Sequence, residues 1–68
     1  MTEKELMKYI GSRISEFRKK NKLTQSELGN KIGVKNNTIS AYERGAISTD
    51  QDILFKLARV FDVSIDDF

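Results

Sequence analysis

Residues 23–45 read LTQSELGNKIGVKNNTISAYERG, and this stretch parses as a helix, a tight turn and a second helix. Thr24 stands where a helix is capped. Glu27 follows three residues on, the spacing at which a hydroxyl and a carboxylate satisfy each other's free backbone N–H groups. Leu28 and Ile32 then fall one turn apart on a single face. Gly33 comes directly after the last apolar position, where a left-handed residue ends a helix with little strain. Val34 leads into the second helix, which Gly45 closes.

The second helix has two unlike sides. Stepping about 100° per residue from Asn36, Ile39 and Tyr42 fall together, with Thr38 at their edge. Asn36, Asn37, Ser40, Ala41 and Arg44 fall on the opposite arc. That arc carries donors and acceptors, no large apolar group, and a single charge at its far end. A short amide at the start of a helix can bond an adenine edge bidentately in the major groove of DNA. The run Asn36-Asn37-Thr38 also suits a turn or a cap, and on these residues alone both readings stand.

The chain resembles the phage-repressor and Cro type of helix-turn-helix transcriptional regulator, the XRE family. The resemblance rests on Arg18 after an amphipathic helix, Thr24-Gln25, Glu27-Leu28, Gly33-Val34, Thr38-Ile39-Ser40 and Glu43-Arg44-Gly45. Leu57-Ala58 through Val63-Ser64 fits as well, so that roughly residues 9 to 68 are covered. No single piece is specific; their order and spacing are. The resemblance implies an all-α, compact five-helix bundle of the lambda-repressor-like type. Helices two and three form the helix-turn-helix, and helix three lies in the major groove. It implies sequence-specific binding of double-stranded DNA and repression of transcription, in the cytosol of a bacterium or phage host at the nucleoid.

Composition bounds the alternatives. Sixty-eight residues make one domain, residues 1–68, without cysteine or histidine. A chain this short buries only about 60% of its unfolded surface, so its core must be well packed. Disulfides, zinc fingers and thiol chemistry are excluded. No metal and no cofactor is expected. No apolar run approaches the roughly 18 residues that span a bilayer, and no signal peptide is visible. The net charge of +2 conceals an asymmetry: residues 13–35 hold seven Lys or Arg against two Glu, whereas residues 45–68 hold two basic residues against five Asp. The first region should face phosphates and the second should not.

From the N-terminus, Met1 to Asn21 form the first helix, with Thr2 and Glu5 in capping-box spacing. Leu6, Ile10, Ile14 and Phe17 line one face. Gly11 sits off it and weakens the helix by about 1 kcal/mol relative to Ala. Met1 to Lys8 exceed what the family core needs; this turn either frays or makes an extra contact through Met7 and Tyr9. Arg18 and Glu43 each lie at the edge of an apolar face, and helices one and three must meet to close the core. A partly buried Arg18–Glu43 ion pair is therefore expected, as the resemblance also implies. The basic turn Lys19, Lys20, Asn21, Lys22 complements a helix dipole or contacts phosphate. Gln25 faces helix three; it bonds either a phosphate or that neighbouring helix, and both can hold.

Two positions depart from the family pattern. Gly29 replaces the usual Ala between helices two and three, where either residue permits close approach at a higher entropic cost for glycine. Lys35 stands where Ser or Thr is common. It cannot accept the capping hydrogen bond, but it places a cation beside the groove. Ser48 and Thr49 can bond phosphates or cap helix four, and Thr49 with Asp52 has box-like spacing, so Thr49 is expected to cap. Helix four runs from about Asp50 to Phe61, with Ile53, Leu54, Leu57, Ala58 and Phe61 on one face, Val60 at its edge and Phe55 pointing away. Ser64 caps a last helix of about one turn, Ile65 to Phe68. A further segment for assembly or regulation is expected beyond it.

These positions predict two layers of contact. Gln25, Lys35, Arg44 and Ser48 hold phosphates; Asn36, Asn37, Thr38, Ser40 and Ala41 meet base edges. One helix reads only a few base pairs, so a homodimer on a palindromic operator is expected, with half-sites roughly 34 Å apart. Val63, Ile65 and Phe68 form its contact, which should be weak without DNA. The competing reading is a protein-interaction module of the same fold, an antitoxin or an adaptor; large apolar residues on the outer face of helix three would favour it. An enzyme is the most distant reading and no catalytic residue is assigned, because the carboxylates are scattered over solvent faces and caps.

Overall fold

The structure is a computed structural model that describes residues 1–68. It contains four α-helices: α1 (Glu3–Lys20), α2 (Gln25–Ile32), α3 (Asn36–Glu43) and α4 (Gln51–Phe61). The expected fifth helix is a 3-10 turn, Ile65–Asp67. Asp67 N–H donates to Ser64 O at 2.9 Å and Phe68 N–H to Ile65 O at 3.3 Å, bonds that reach back three residues rather than four. The five-helix expectation is thus corrected to four α-helices and a terminal turn.

Local chemistry sets most of the helix ends. Thr2 caps α1 and Thr24 caps α2, each in a reciprocal box with Glu5 or Glu27. Gly33 leaves α2 at φ 81°, in the left-handed region, which a residue lacking Cβ enters without penalty. The cap of α4 is Asp50, whose carboxylate accepts from Ile53 N–H at 2.8 Å. That corrects the expectation for Thr49: the acid one position later reaches the free N–H groups, and its negative charge suits the helix start.

Each α-helix gives one fully buried side chain to the centre: Ile14, Leu28, Ile39 and Leu57. Phe17, Ile32, Tyr42 and Phe61 surround them. The Phe17 ring lies 5.6 Å from Phe61 and 5.5 Å, edge-on, from Phe68, favourable spacings for aromatic pairs. Arg13 ties the terminal turn to α1, donating to Asp67 O from Nε at 2.9 Å and from Nη2 at 2.7 Å. Its guanidinium also lies 4.7 Å from the centre of the Phe17 ring.

Two expectations for α1 change. Gly11 is buried, not off the packed face. A Cβ there would run into Tyr42 O and lie 2.7 Å from Glu43 O, so the glycine is what lets α1 reach the end of α3. Leu6 continues the apolar stripe yet is 46% exposed, because the first turns of α1 extend past the packed centre. Tyr9 and Phe55 are also exposed.

Candidate nucleic-acid interface

The outer arc of α3 is open to solvent. Asn36 and Asn37 are exposed in its first turn, and Thr38, Ser40 and Ala41 are half-buried behind them. Ile39 and Tyr42 point the other way, into the core. The helix start is bare: Lys35 occupies the cap position, is exposed, and makes no side-chain capping bond. Arg44 is exposed at the other end and donates from Nε to Ser40 Oγ at 3.3 Å. A row of amides and hydroxyls is thus presented between two cations.

This arc is aimed by contacts on the opposite side of α3. Glu43 Oε2 accepts from Arg18 Nε at 2.6 Å, and Oε1 accepts from Arg18 Nη2 at 3.1 Å. The two side chains are 13% and 8% exposed. Arg18 Nη1 also donates to Leu23 O at 2.8 Å. The Glu43 hydrogen bonds raise the Arg18 pKa further above its usual value, against the opposing effect of burial. Oε1 takes a further bond from Gln25 Nε2 at 3.1 Å, so one carboxylate joins α1, α2 and α3. Of the two bonds open to Gln25, the chain itself makes the one between helices; the second N–H of its amide has no partner within the chain.

Close backbone approach completes the mounting. Gly11 meets the end of α3, and a Cβ on Gly29 would lie 2.5 Å from Val34 O in the turn before α3. Gly29 was legible as a close-approach site; the roles of Gly11 and Arg13 were not. The only hint at Gly11 is a glycine kept inside an 18-residue helix, where it disfavours the helix unless packing needs it.

The remaining predicted residues lie apart from this arc. Ser48 is exposed on the loop between α3 and α4. Val63 and Ile65 line an open hollow of about 590 Å³ with Phe55, Ala58, Arg59 and Asp62. Phe68, the third residue expected in a dimer contact, is half-buried against the chain's own core. No helix is long and apolar enough to cross a membrane.

A helix-turn-helix family model matches residues 14–68, from the buried face of α1 through the terminal turn. The chain belongs to the helix-turn-helix family. Among its relatives is an HTH-type transcriptional regulator of Archaeoglobus fulgidus, 43% identical over 56 residues, covering 82% of this chain and 80% of the relative. The HTH-type transcriptional regulator ImmR of Bacillus subtilis is 40% identical over 57 residues, 84% of this chain but 45% of its own length. Among solved structures, the P22 c2 repressor in complex with synthetic operator 9T superposes with a TM-score of 0.78 at 37% identity, covering 84% of this chain and 86% of that one. In helix-turn-helix terms α2 and α3 form the motif, and Glu43 is the point at which the second motif helix is fastened to the first and to α1.

Proposed function

We propose that this helix-turn-helix regulator is a repressor that binds a palindromic double-stranded DNA operator as a dimer, with α3 in the major groove. The exposed arc of α3 carries the reading: Asn36 and Asn37 stand free, with Ser40 and Ala41 beside them and no large apolar side chain. Asn36, Asn37, Thr38 and Ser40 take base edges, and Ala41 meets a thymine methyl. Lys35, Arg44, Ser48 and the free N–H of Gln25 hold phosphates and fix the register. The P22 c2 repressor, a neighbour in fold, was solved on an operator. Val63 and Ile65, on the open hollow, form the contact between copies; Phe68 supports them from within. The protein works by binding, and no reaction is assigned to it.

Selection of random duplexes on the protein tests this reading: it requires a palindrome whose half-sites are separated by about one DNA turn. On the recovered site, Asn37→Ala should weaken binding by about 1–3 kcal/mol at one position per half-site and relax the preference there. An equal loss on every sequence would remove Asn37 from the base-reading set. A partner protein captured by the α3 face in place of any duplex would favour the interaction-module reading.

A further inference from the structure

Three hollows lie outside the reading arc. The one at Phe55, Val63 and Ile65 belongs to the contact between copies proposed above. A second, about 310 Å³ between α1 and the α3–α4 loop, is walled by Leu6, Ile10, Ile47 and Leu54 among others, and nothing on its walls selects an occupant. The third differs in kind. It is about 350 Å³ and lies between the end of α2 and the second half of α4, lined by Lys31, Lys56 and Arg59 over Ile32 and Val60.

Its lining holds three cations and no carboxylate. The chain's two ion pairs are Arg13–Glu16 and Arg18–Glu43, so none of these cations has a carboxylate within ion-pair distance. Glu27, one turn before Lys31, is engaged in its own cap with Thr24. Glu27 still feels Lys31 through space, but no carboxylate lines the hollow itself; like charges grouped there repel, and an anionic ligand relieves that repulsion. The floor is aliphatic: Ile32 is buried and Val60 half-buried.

We propose that this hollow docks an extended acidic segment of a partner protein, with an apolar side chain set between its carboxylates. The carboxylates meet Lys31, Lys56 and Arg59, and the apolar side chain seats on Ile32 and Val60. Charge complementarity fixes the sign of the partner. The floor selects protein over nucleic acid, because a phosphate backbone presents no aliphatic side chain to it. No residue of α3 lines the hollow, nor does Gln25 or Ser48. The docked segment therefore leaves the reading arc free; Arg59 also lines the hollow assigned to the contact between copies, so Lys31 and Lys56 carry the docking when that contact is made.

The test needs no DNA. A fluorescently labelled peptide, Asp-Asp-Leu-Asp-Asp, is titrated with the protein at low salt and its anisotropy followed. Wild type binds it, and added salt weakens the binding. Replacing the central leucine by serine weakens it about fivefold, through loss of the apolar seat. The variant Lys31→Glu/Lys56→Glu, both exposed positions, keeps its circular dichroism and binds the peptide about tenfold more weakly. Equal affinity for the leucine and serine peptides overturns the proposal, as does unchanged peptide binding by the variant. So does a matching loss in the variant's affinity for a random-sequence duplex, which would mark the hollow as a phosphate contact.

Discussion

α3 and α4 are successive helices held in opposite ways. α4 has its own cap: Asp50 holds its start, and Leu57, Ala58 and Phe61 in its second half are buried. α3 has no side-chain cap, buries Ile39 and Tyr42, and leaves its outer arc to solvent. It is fixed from outside, through Glu43 to Arg18 and Gln25 and through the glycine contact with α1. On the proposed function, the exposed face and N-terminus of α3 serve a ligand, and a helix so used cannot spend either on its own stability. Neighbouring elements supply what it lacks, and they set its pose as they do so.

The sharpest way to break this contrast is to cut the outside support. Glu43→Ala leaves the Arg18 guanidinium largely buried without its partner, and should cost about 3 kcal/mol. The double variant Arg18→Ala/Glu43→Ala should recover part of that loss, since no charge is then stranded. Urea unfolding of the three proteins reads both effects. A loss below about 1 kcal/mol for the single variant, the range of an exposed pair, would mean that α3 stands without this mounting. Gly11→Ala comes next. The added methyl meets Tyr42 O and Glu43 O, both backbone atoms, and overpacking of this kind costs about 1–3 kcal/mol, less about 1 kcal/mol returned by alanine's helix preference. A rise in melting temperature would place Gly11 off the contact after all.

A third variant acts on α3 itself. Lys35→Ser supplies the missing cap and should stabilise the fold by about 1 kcal/mol. On the proposed interface it also removes a phosphate contact, so duplex binding should weaken uniformly across sequences and its salt slope should fall by about 1. Gained stability with lost affinity is the signature of a helix start reserved for its ligand. If affinity is unchanged, Lys35 is simply a poor cap.

What could be read from the sequence follows the range of the interactions. The boxes at Thr2–Glu5 and Thr24–Glu27 are contained within one turn, so residue spacing exposes them. The core positions Ile14, Leu28, Ile39 and Leu57 follow from helical period alone. Arg18 and Glu43 are far apart in the chain, but each marks the edge of an apolar face, and two such edges meet when the faces close. Gly11 escaped this reasoning because its partner is a pair of backbone carbonyls at the end of another helix, which no side-chain pattern announces. Thr49 and Asp50 are adjacent and both able to cap, so the choice turned on a one-residue register. Arg13 bonds a carbonyl in the terminal turn, and a charged residue on a helix gives no sign of a backbone partner. The outer arc of α3 was legible in composition, because its polar residues recur at helical spacing opposite Ile39 and Tyr42.

The smallest expected effect separates the two motif helices by pH. α2 begins on a titratable cap and α3 does not. The bonds between Glu27 and Thr24 lower the Glu27 pKa from its usual 4.5. The folded value therefore lies below the unfolded one. The contribution of Glu27 is complete above pH 4.5 and is lost as the pH falls through the lowered folded value. Glu5 acts in the same sense at the start of α1, through Thr2. Glu27→Gln keeps an acceptor for the Thr24 N–H, since glutamine also closes a capping box, but it removes the titration. Melting temperature followed from neutral pH into acid should fall less steeply for this variant than for wild type, with the two curves parting only below pH 4.5. Parallel curves would mean that the box contributes equally with Glu27 charged or neutral, and the electrostatic distinction between the starts of α2 and α3 would then disappear.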